Sequence, residues 1–270
     1  MPRNNNNNND RLFSWQTATV IGVTVLLFLY MHSLSQQQRI NQPQNVNKQQ
    51  QQKQQHQQQQ QQQGISRMNS IQQGRTETGV EYYHCRPVKD DETKPTQHLI
   101  LLHGSRFSKE DWKTSGILQQ FCSIPGLTVS ALDFSVASTH KDFRRLMDES
   151  SLFTPPVTAV VTPSASGQIV TEWMTNGHIT KMPLYMHTWI PVAVGSVHST
   201  TQTQLQDLKG TGVDILAIYG DQDRVAGHDT SMLLQKWAGA TTVELNGGHP
   251  CYLDSPDEFV QVIQSHLGLS

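Results

Sequence analysis

The chain has 270 residues, 20 of them Lys or Arg and 22 Asp or Glu, for a formal net charge of −2. Near-neutrality without a basic stripe excludes an electrostatic nucleic-acid-binding surface. Three cysteines, Cys85, Cys122 and Cys251, are too few and too scattered for a disulfide framework or a structural zinc site, and their odd number fits reduced thiols.

Residues 1–11 are an Asn-rich tail. No formal charge falls between Arg11 and Arg39, and within that gap Trp15–Leu34 is mostly apolar. At ~1.5 Å per residue it is long enough to cross a bilayer. Trp15 and Tyr30 bracket its most apolar part, as interfacial aromatics do. Residues 12–35 are therefore expected to form a transmembrane signal-anchor helix, with the lipid bilayer as partner and the N-terminus cytoplasmic. A signal peptide cleaved near Ser35 is the competing reading. Residues 36–75 contain the Gln-rich run Gln49–Gln63. Such a segment cannot bury enough apolar surface to offset the entropy of ordering, and it reads as a disordered linker.

Residues 76–270 read as one globular domain, long enough for a sizeable core. From Val80 onward, strands alternate with helices. His98–His103 is a near-continuous apolar run, as in a strand covered on both faces. A helix over Lys109–Cys122 would place Trp112, Ile117, Leu118 and Phe121 roughly on one side. A strand at Thr128–Phe134 and a short helix at Lys141–Glu149 follow. Further strands are expected at Val157–Thr162, Trp189–Val194, Val213–Tyr219 and Thr241–Leu245. Helices are expected around Thr230–Trp237 and Pro256–His266. Ser255 as N-cap, Pro256 at the first position and Glu258 as capping-box partner mark the start of the last one. This alternation predicts an α/β fold with a mostly parallel, doubly wound sheet and active-site loops at the carboxyl ends of the strands.

Three of those strand ends carry residues that can act together. Val157–Gly167 runs from a β-branched strand into a Pro-Ser-Ala-Ser-Gly turn and then a helix. A serine at such an elbow has its hydroxyl held clear of the sheet, and Thr162-x-Ser164-x-Ser166 is a relaxed G-x-S-x-G. Small residues belong two before and two after the serine, because the elbow brings those backbones together. After Tyr219 come Asp221 and Asp223; after Leu245 comes His249. A hydroxyl becomes a nucleophile when an imidazole takes its proton and a buried carboxylate orients that imidazole. The chain order Ser, Asp, His is that of the α/β-hydrolases. A fourth loop, His103-Gly104-Ser105, is placed to offer the Ser105 N–H to an oxyanion, with Ala165 N–H as second donor. Ala165 is expected to open a helix, whose dipole would add to that stabilisation. Taken singly, the aspartates can be turn formers and His249 a surface histidine. His103 reads as a packing residue, and His187, His198 and His228 lie where no strand end recruits them. No metal-ligand spacing or phosphate-binding glycine loop is present, so no metal or cofactor is expected.

The segments LLHGSRFSKEDW (Leu101–Trp112), TPSASG (Thr162–Gly167), IYGDQD (Ile218–Asp223) and GGHPCYLDSPDEF (Gly247–Phe259) resemble the alpha/beta-hydrolase-domain-containing protein 14 family. The resemblance runs over most of residues 80–269. It implies an α/β-hydrolase fold without a large cap domain and serine-hydrolase chemistry on small acyl groups. It also implies Ser164 as nucleophile, Asp223 rather than Asp221 as acid, and His249 as base. The membrane-anchored branch of that family likewise carries an N-terminal span. The chain departs from the pattern at Thr162 and after Asp133, where Phe134–Ser138 replaces a Gly-containing loop. The expected function is hydrolysis or transfer of small acyl groups from esters, thioesters or activated amides, the acyl group being free or displayed on a macromolecule. The connection from Val194 to Val213 has room for a crossover helix and little more, so the site is expected to be open and shallow. The alternative is a hydrolase fold with little turnover that serves as a protein-interaction module.

Overall fold

The computed structural model of the chain describes residues 30–34, 71–86, 97–154 and 156–269. The chain divides into two units, Met1–Gln63 and Gly64–Ser270. In the first, residues 30–34 are helical, with Tyr30 and Met31 exposed. The rest of the expected anchor, the Asn-rich tail and the Gln-rich run lie outside the described residues. Among the described residues no helix is long and apolar enough to cross a membrane.

The second unit is built on one eight-stranded sheet in the order β1-β2-β4-β3-β5-β6-β7-β8. The strands are β1 Gln72–Arg75, β2 Glu81–Cys85, β3 Gln97–Leu101, β4 Leu127–Leu132, β5 Val157–Pro163, β6 Met186–Val192, β7 Asp214–Gly220 and β8 Thr241–Leu245. From β4 across to β8 every pairing is parallel, as the alternating pattern predicts. β1 and β2 add an antiparallel edge. Gln72–Arg75, grouped with the linker on composition, is thus an edge strand. Edge strands bury little, and this one carries no apolar alternation to reveal it. Strand order reverses between β3 and β5, so the loops leaving these two strands part and open a crevice at their carboxyl ends.

Both faces of the sheet are covered. Ile100, Val160, Phe143, Trp173 and Trp189 form one apolar layer, under helices His140–Glu149, Gln168–Thr175 and Gln202–Gly210. Leu101, Val161, Trp112, Phe121, Tyr252 and Phe259 form the other, under Lys109–Thr114, Ile117–Cys122 and Pro256–His266. Gln202–Gly210 is the short crossover expected between β6 and β7.

Three local expectations are corrected. The helix predicted over Lys109–Cys122 is two, Lys109–Thr114 and Ile117–Cys122, broken at Gly116 with φ 81°. On a straight helix Trp112 and Ile117, five residues apart, would diverge by about 140°; the left-handed break lets both face the core. Ser255 does not cap Pro256–His266 through its side chain, because its hydroxyl instead donates to Asn246 O at 2.7 Å. Capping boxes close elsewhere, as at Ser108 with Asp111. Finally, Cys85 and Cys122 form a disulfide, not two thiols. Their sequence separation of 37 hides a Cα–Cα distance of 5.9 Å, set where the Ile117–Cys122 helix packs beside the end of β2.

Candidate active site

The elbow at the end of β5 is formed as its sequence suggests. Ser164 has φ 50°, a strained value for a residue with a β-carbon. Ser164–Gly167 make a 3₁₀ turn that passes into helix Gln168–Thr175. Ala165 therefore lies in a tight turn ahead of the helix and not at its first position. Ser166 Oγ donates back to Pro163 O at 2.9 Å and closes the turn. Gly167 runs against Val194, and a β-carbon there would overlap the isopropyl group. Thr162, the departure from a glycine elbow, has its own reason. Its Oγ1 accepts the indole N–H of fully buried Trp189 at 2.8 Å, a donor that would otherwise be orphaned in the core.

The loops after β7 and β8 are stitched together. Asp221 N donates to Leu245 O at 2.9 Å, and Gln222 N to Gly247 O at 3.0 Å. Asp221 Oδ1 accepts Gly247 N at 2.9 Å. Asp221 is thus spent on shaping the loop. Asp223, two residues on, lies 2.5 Å from His249 Nδ1 through Oδ2. On the other side of the ring, His249 Nε2 lies 2.7 Å from Ser164 Oγ. A carboxylate only accepts, so Nδ1 carries the proton and Nε2 is left to accept the Ser164 hydroxyl. The Asp223 side chain is 12% exposed and that of His249 43%. The acid is shielded while the imidazole meets solvent. Such an arrangement can deprotonate a hydroxyl and hold the imidazolium that results.

The His103-Gly104-Ser105 loop lies against the elbow. A β-carbon on Gly104 would sit 3.6 Å from Ser164 Cβ and 3.7 Å from Pro163 O. His103 is buried and its Nδ1 lies 2.9 Å from Gly104 O. Its Nε2 faces Asp133 Oδ1 at 3.2 Å. Lys109 is also buried, with Nζ 3.2 Å from both Glu81 Oε2 and Glu110 Oε1 and 3.8 Å from Asp133 Oδ2. Burial pulls its ammonium pKa down, but the bonds to Glu81 and Glu110 and the charge of Asp133 outweigh that and raise it. Composition and spacing did not reveal this cluster, because its members come from three strand ends and a helix. The HG dipeptide leaving β3 was its one visible sign.

Cys251, just beyond His249, is no competing nucleophile: burial pushes its thiol up to about 12. Among the described residues no group of His, Cys, Asp and Glu could hold a metal ion. The His198 ring meets Val225 O and the His228 ring Asp229, so neither imidazole is engaged by the Ser164–His249–Asp223 relay.

No protein-family model matches the chain. It is 29% identical to human Protein ABHD14A over 180 residues, 63% of this chain and 63% of that protein. It is 25% identical to the zebrafish (Danio rerio) Protein ABHD14A over 186 residues, 64% of this chain and 65% of the relative. It is 27% identical over 185 residues to the human "Putative protein-lysine deacylase ABHD14B", 63% of this chain and 80% of the relative. The chain resembles the ABHD14 proteins. It spans less than two thirds of the length of the ABHD14A relatives. Among solved structures it is similar to the esterase domain of a Rhodothermus marinus protein, with TM-score 0.54 and 14% identity, covering 73% of this chain and 96% of that one. The thioesterase domain from the curacin biosynthetic pathway gives TM-score 0.51 at 14% identity, covering 72% and 98%. At such identities the likeness is one of fold, and the fold is that of the α/β-hydrolases.

Proposed function

We propose that the chain is a serine hydrolase acting on small acyl groups held as esters, thioesters or activated amides. The observation that carries this reading is the continuous relay from Ser164 Oγ through both nitrogens of His249 to Asp223. Ser164 attacks the acyl carbon while His249 Nε2 takes its proton, and Asp223 steadies the imidazolium. The N–H groups of Ser105 and Ala165 receive the oxyanion. His249 then protonates the leaving group, the acyl group stays on Ser164, and water attacks it with His249 again as base. The leaving group departs with the proton that Ser164 lost, and hydrolysis returns that hydroxyl.

Two features support a preference for short acyl chains. His249 is open to solvent, and only a 3₁₀ turn, Gly195–Ser199, and the short helix Gln202–Gly210 lie between β6 and β7. ABHD14B carries a deacylase name, which favours an acyl group displayed on a macromolecule among the candidate substrates. Steady-state hydrolysis of p-nitrophenyl acetate, butyrate and palmitate tests the reading. Acetate and butyrate should turn over and Ser164→Ala should not. Selectivity for palmitate would contradict the short-chain assignment.

The same reading places the protein in a membrane as a single-pass type II protein anchored through residues 12–35. The Cys85–Cys122 disulfide favours the hydrolase unit lying on the oxidising side of that membrane. Protease protection of sealed vesicles, with and without detergent, reads the orientation. A hydrolase unit cleaved on the cytosolic face of intact vesicles would refute it.

A further inference from the structure

We infer that His103 is a positioning residue that aims the Ser105 N–H at the oxyanion, and that Asp133, beside Lys109, walls in its ring. This rests on the acyl-transfer reading above. The reason is the planarity of a peptide unit. The carbonyl of Gly104 and the N–H of Ser105 belong to one rigid plane and point in opposite directions. Fixing the carbonyl therefore fixes the direction of the N–H.

The Gly104 carbonyl is gripped twice. His103 Nδ1 reaches it at 2.9 Å and Phe107 N donates to it at 3.1 Å. A carbonyl oxygen only accepts, so His103 Nδ1 must carry its proton. The imidazole is itself confined. It is buried, and Asp133 Oδ1 approaches Nε2, the nitrogen not used on the loop, to 3.2 Å without hydrogen-bond geometry. Asp133 is secured by its own N–H, which donates to Glu81 O at 2.8 Å. Lys109 Nζ stands 3.8 Å from its other oxygen. Lys109 is in turn fixed by Glu81 and Glu110, and Tyr83 donates its hydroxyl to Glu110 at 2.9 Å. The Lys109 ammonium thus joins three partly exposed carboxylates into one network beside His103. What it positions is the loop that abuts Ser164, where a β-carbon on Gly104 would fall in van der Waals contact with the Ser164 β-carbon. A donor aimed before the reaction begins stabilises the oxyanion without reorganisation at the moment of attack.

The test exploits the two ring nitrogens. In His103→Asn the side-chain amide N–H takes the place of Nδ1 and keeps the grip on Gly104 O. In His103→Gln the amide reaches the position of Nε2 and loses that grip. Rates of p-nitrophenyl acetate hydrolysis are measured per active site, counted by stoichiometric fluorophosphonate labelling, with thermal unfolding in parallel. Losing a whole oxyanion donor costs about 10²–10³ in kcat, so a misaimed one should cost about 10-fold to 100-fold. His103→Gln should show that loss with KM changed less than about threefold, and His103→Asn should recover most of it. Asp133→Ala should give a smaller loss in kcat of the same kind. Equal kcat values for His103→Asn and His103→Gln would overturn the positioning role, as would variants that lose only thermal stability. A wild type that neither labels nor turns over would overturn the hydrolase reading and this role together. An active wild type with unaltered variants would overturn this role alone.

Discussion

Gly220 lies directly beneath Gly248, so close that a β-carbon on Gly220 would collide with the Gly248 carbonyl oxygen. This contact locks the loop after β7 to the loop after β8, and with them Asp223 to His249. Gly220→Ala must push the two loops apart, and overpacking of this kind costs about 1–3 kcal/mol. Both the denaturant midpoint and kcat on acetyl esters should fall. Normal activity in a stable Gly220→Ala protein would show that the two loops tolerate separation.

Asp221 and Asp223 divide their labour. Asp221 ties Gly247 N–H into the loop, whereas Asp223 meets the imidazole. Asp223→Ala should lower kcat about 10⁴-fold, as loss of the orienting acid does elsewhere. Asp221→Ala removes a charged acceptor worth about 1.5–3 kcal/mol and should act first on stability. Rate and urea midpoint measured on both variants decide; a larger kcat loss for Asp221→Ala would reverse the assignment.

The hydroxyl of Thr162 exists for Trp189. Thr162→Val keeps the shape but leaves the buried indole N–H unpaired, at a cost of about 1–3 kcal/mol. Equilibrium unfolding followed by tryptophan fluorescence measures it directly. An unchanged midpoint would mean that the indole finds another acceptor.

A buried polar chain at the far end of the sheet makes stability depend on pH. Arg86 Nε donates to His84 Nε2 at 3.1 Å, so His84 Nδ1 carries a proton and donates to Ser130 Oγ at 2.9 Å. Ser130 then donates to His98 Nε2 at 2.9 Å. Burial, with the Arg86 charge behind it, holds His84 at about 4. Burial, helped by His84 and Arg86, holds His98 at about 3. In the unfolded chain both titrate near 6.5. Above pH 7 both are neutral in either state and contribute no slope. As the pH falls below 6.5 the unfolded chain takes up protons that the fold refuses, so stability drops towards pH 4. Either histidine should cost on the order of 3 kcal/mol across that window. His98→Gln keeps an acceptor for Ser130 without the titration and should roughly halve the slope between pH 6.5 and 4.5, the rest belonging to His84. A wild type whose urea midpoint does not move in that range would refute the scheme.

The disulfide closes a loop of 37 residues, which in the chain-entropy account stabilises the fold by about 4 kcal/mol. Denatured, unreduced protein should expose one titratable thiol, Cys251, and reduction should raise the count to three. Three thiols without reductant would contradict the pairing.

Much of this architecture is legible in the residues, because its inner parallel strands are buried on both faces and advertise themselves as apolar runs. Thr241–Leu245 matches its predicted bounds, and the Ser164, Asp223 and His249 loops sit at the strand ends where alternation put them. What escaped has a common cause. The β1 edge, the Cys85–Cys122 bond and the Lys109–Asp133–His103 cluster join residues far apart in sequence, and periodicity carries no information about such pairings. The Ser255 capping box failed for the reverse reason. A local motif was outcompeted by Asn246 O, which only the folded loop brings near.

Catalysis at this site depends on activation of the Ser164 hydroxyl by His249. Intact-mass analysis after exposure to a fluorophosphonate, followed by peptide mapping, reads this directly. One adduct on the peptide carrying Ser164, absent from Ser164→Ala and strongly slowed in His249→Ala, is the predicted result. A folded wild-type protein that acquires no adduct, or an adduct that persists in Ser164→Ala, would contradict it.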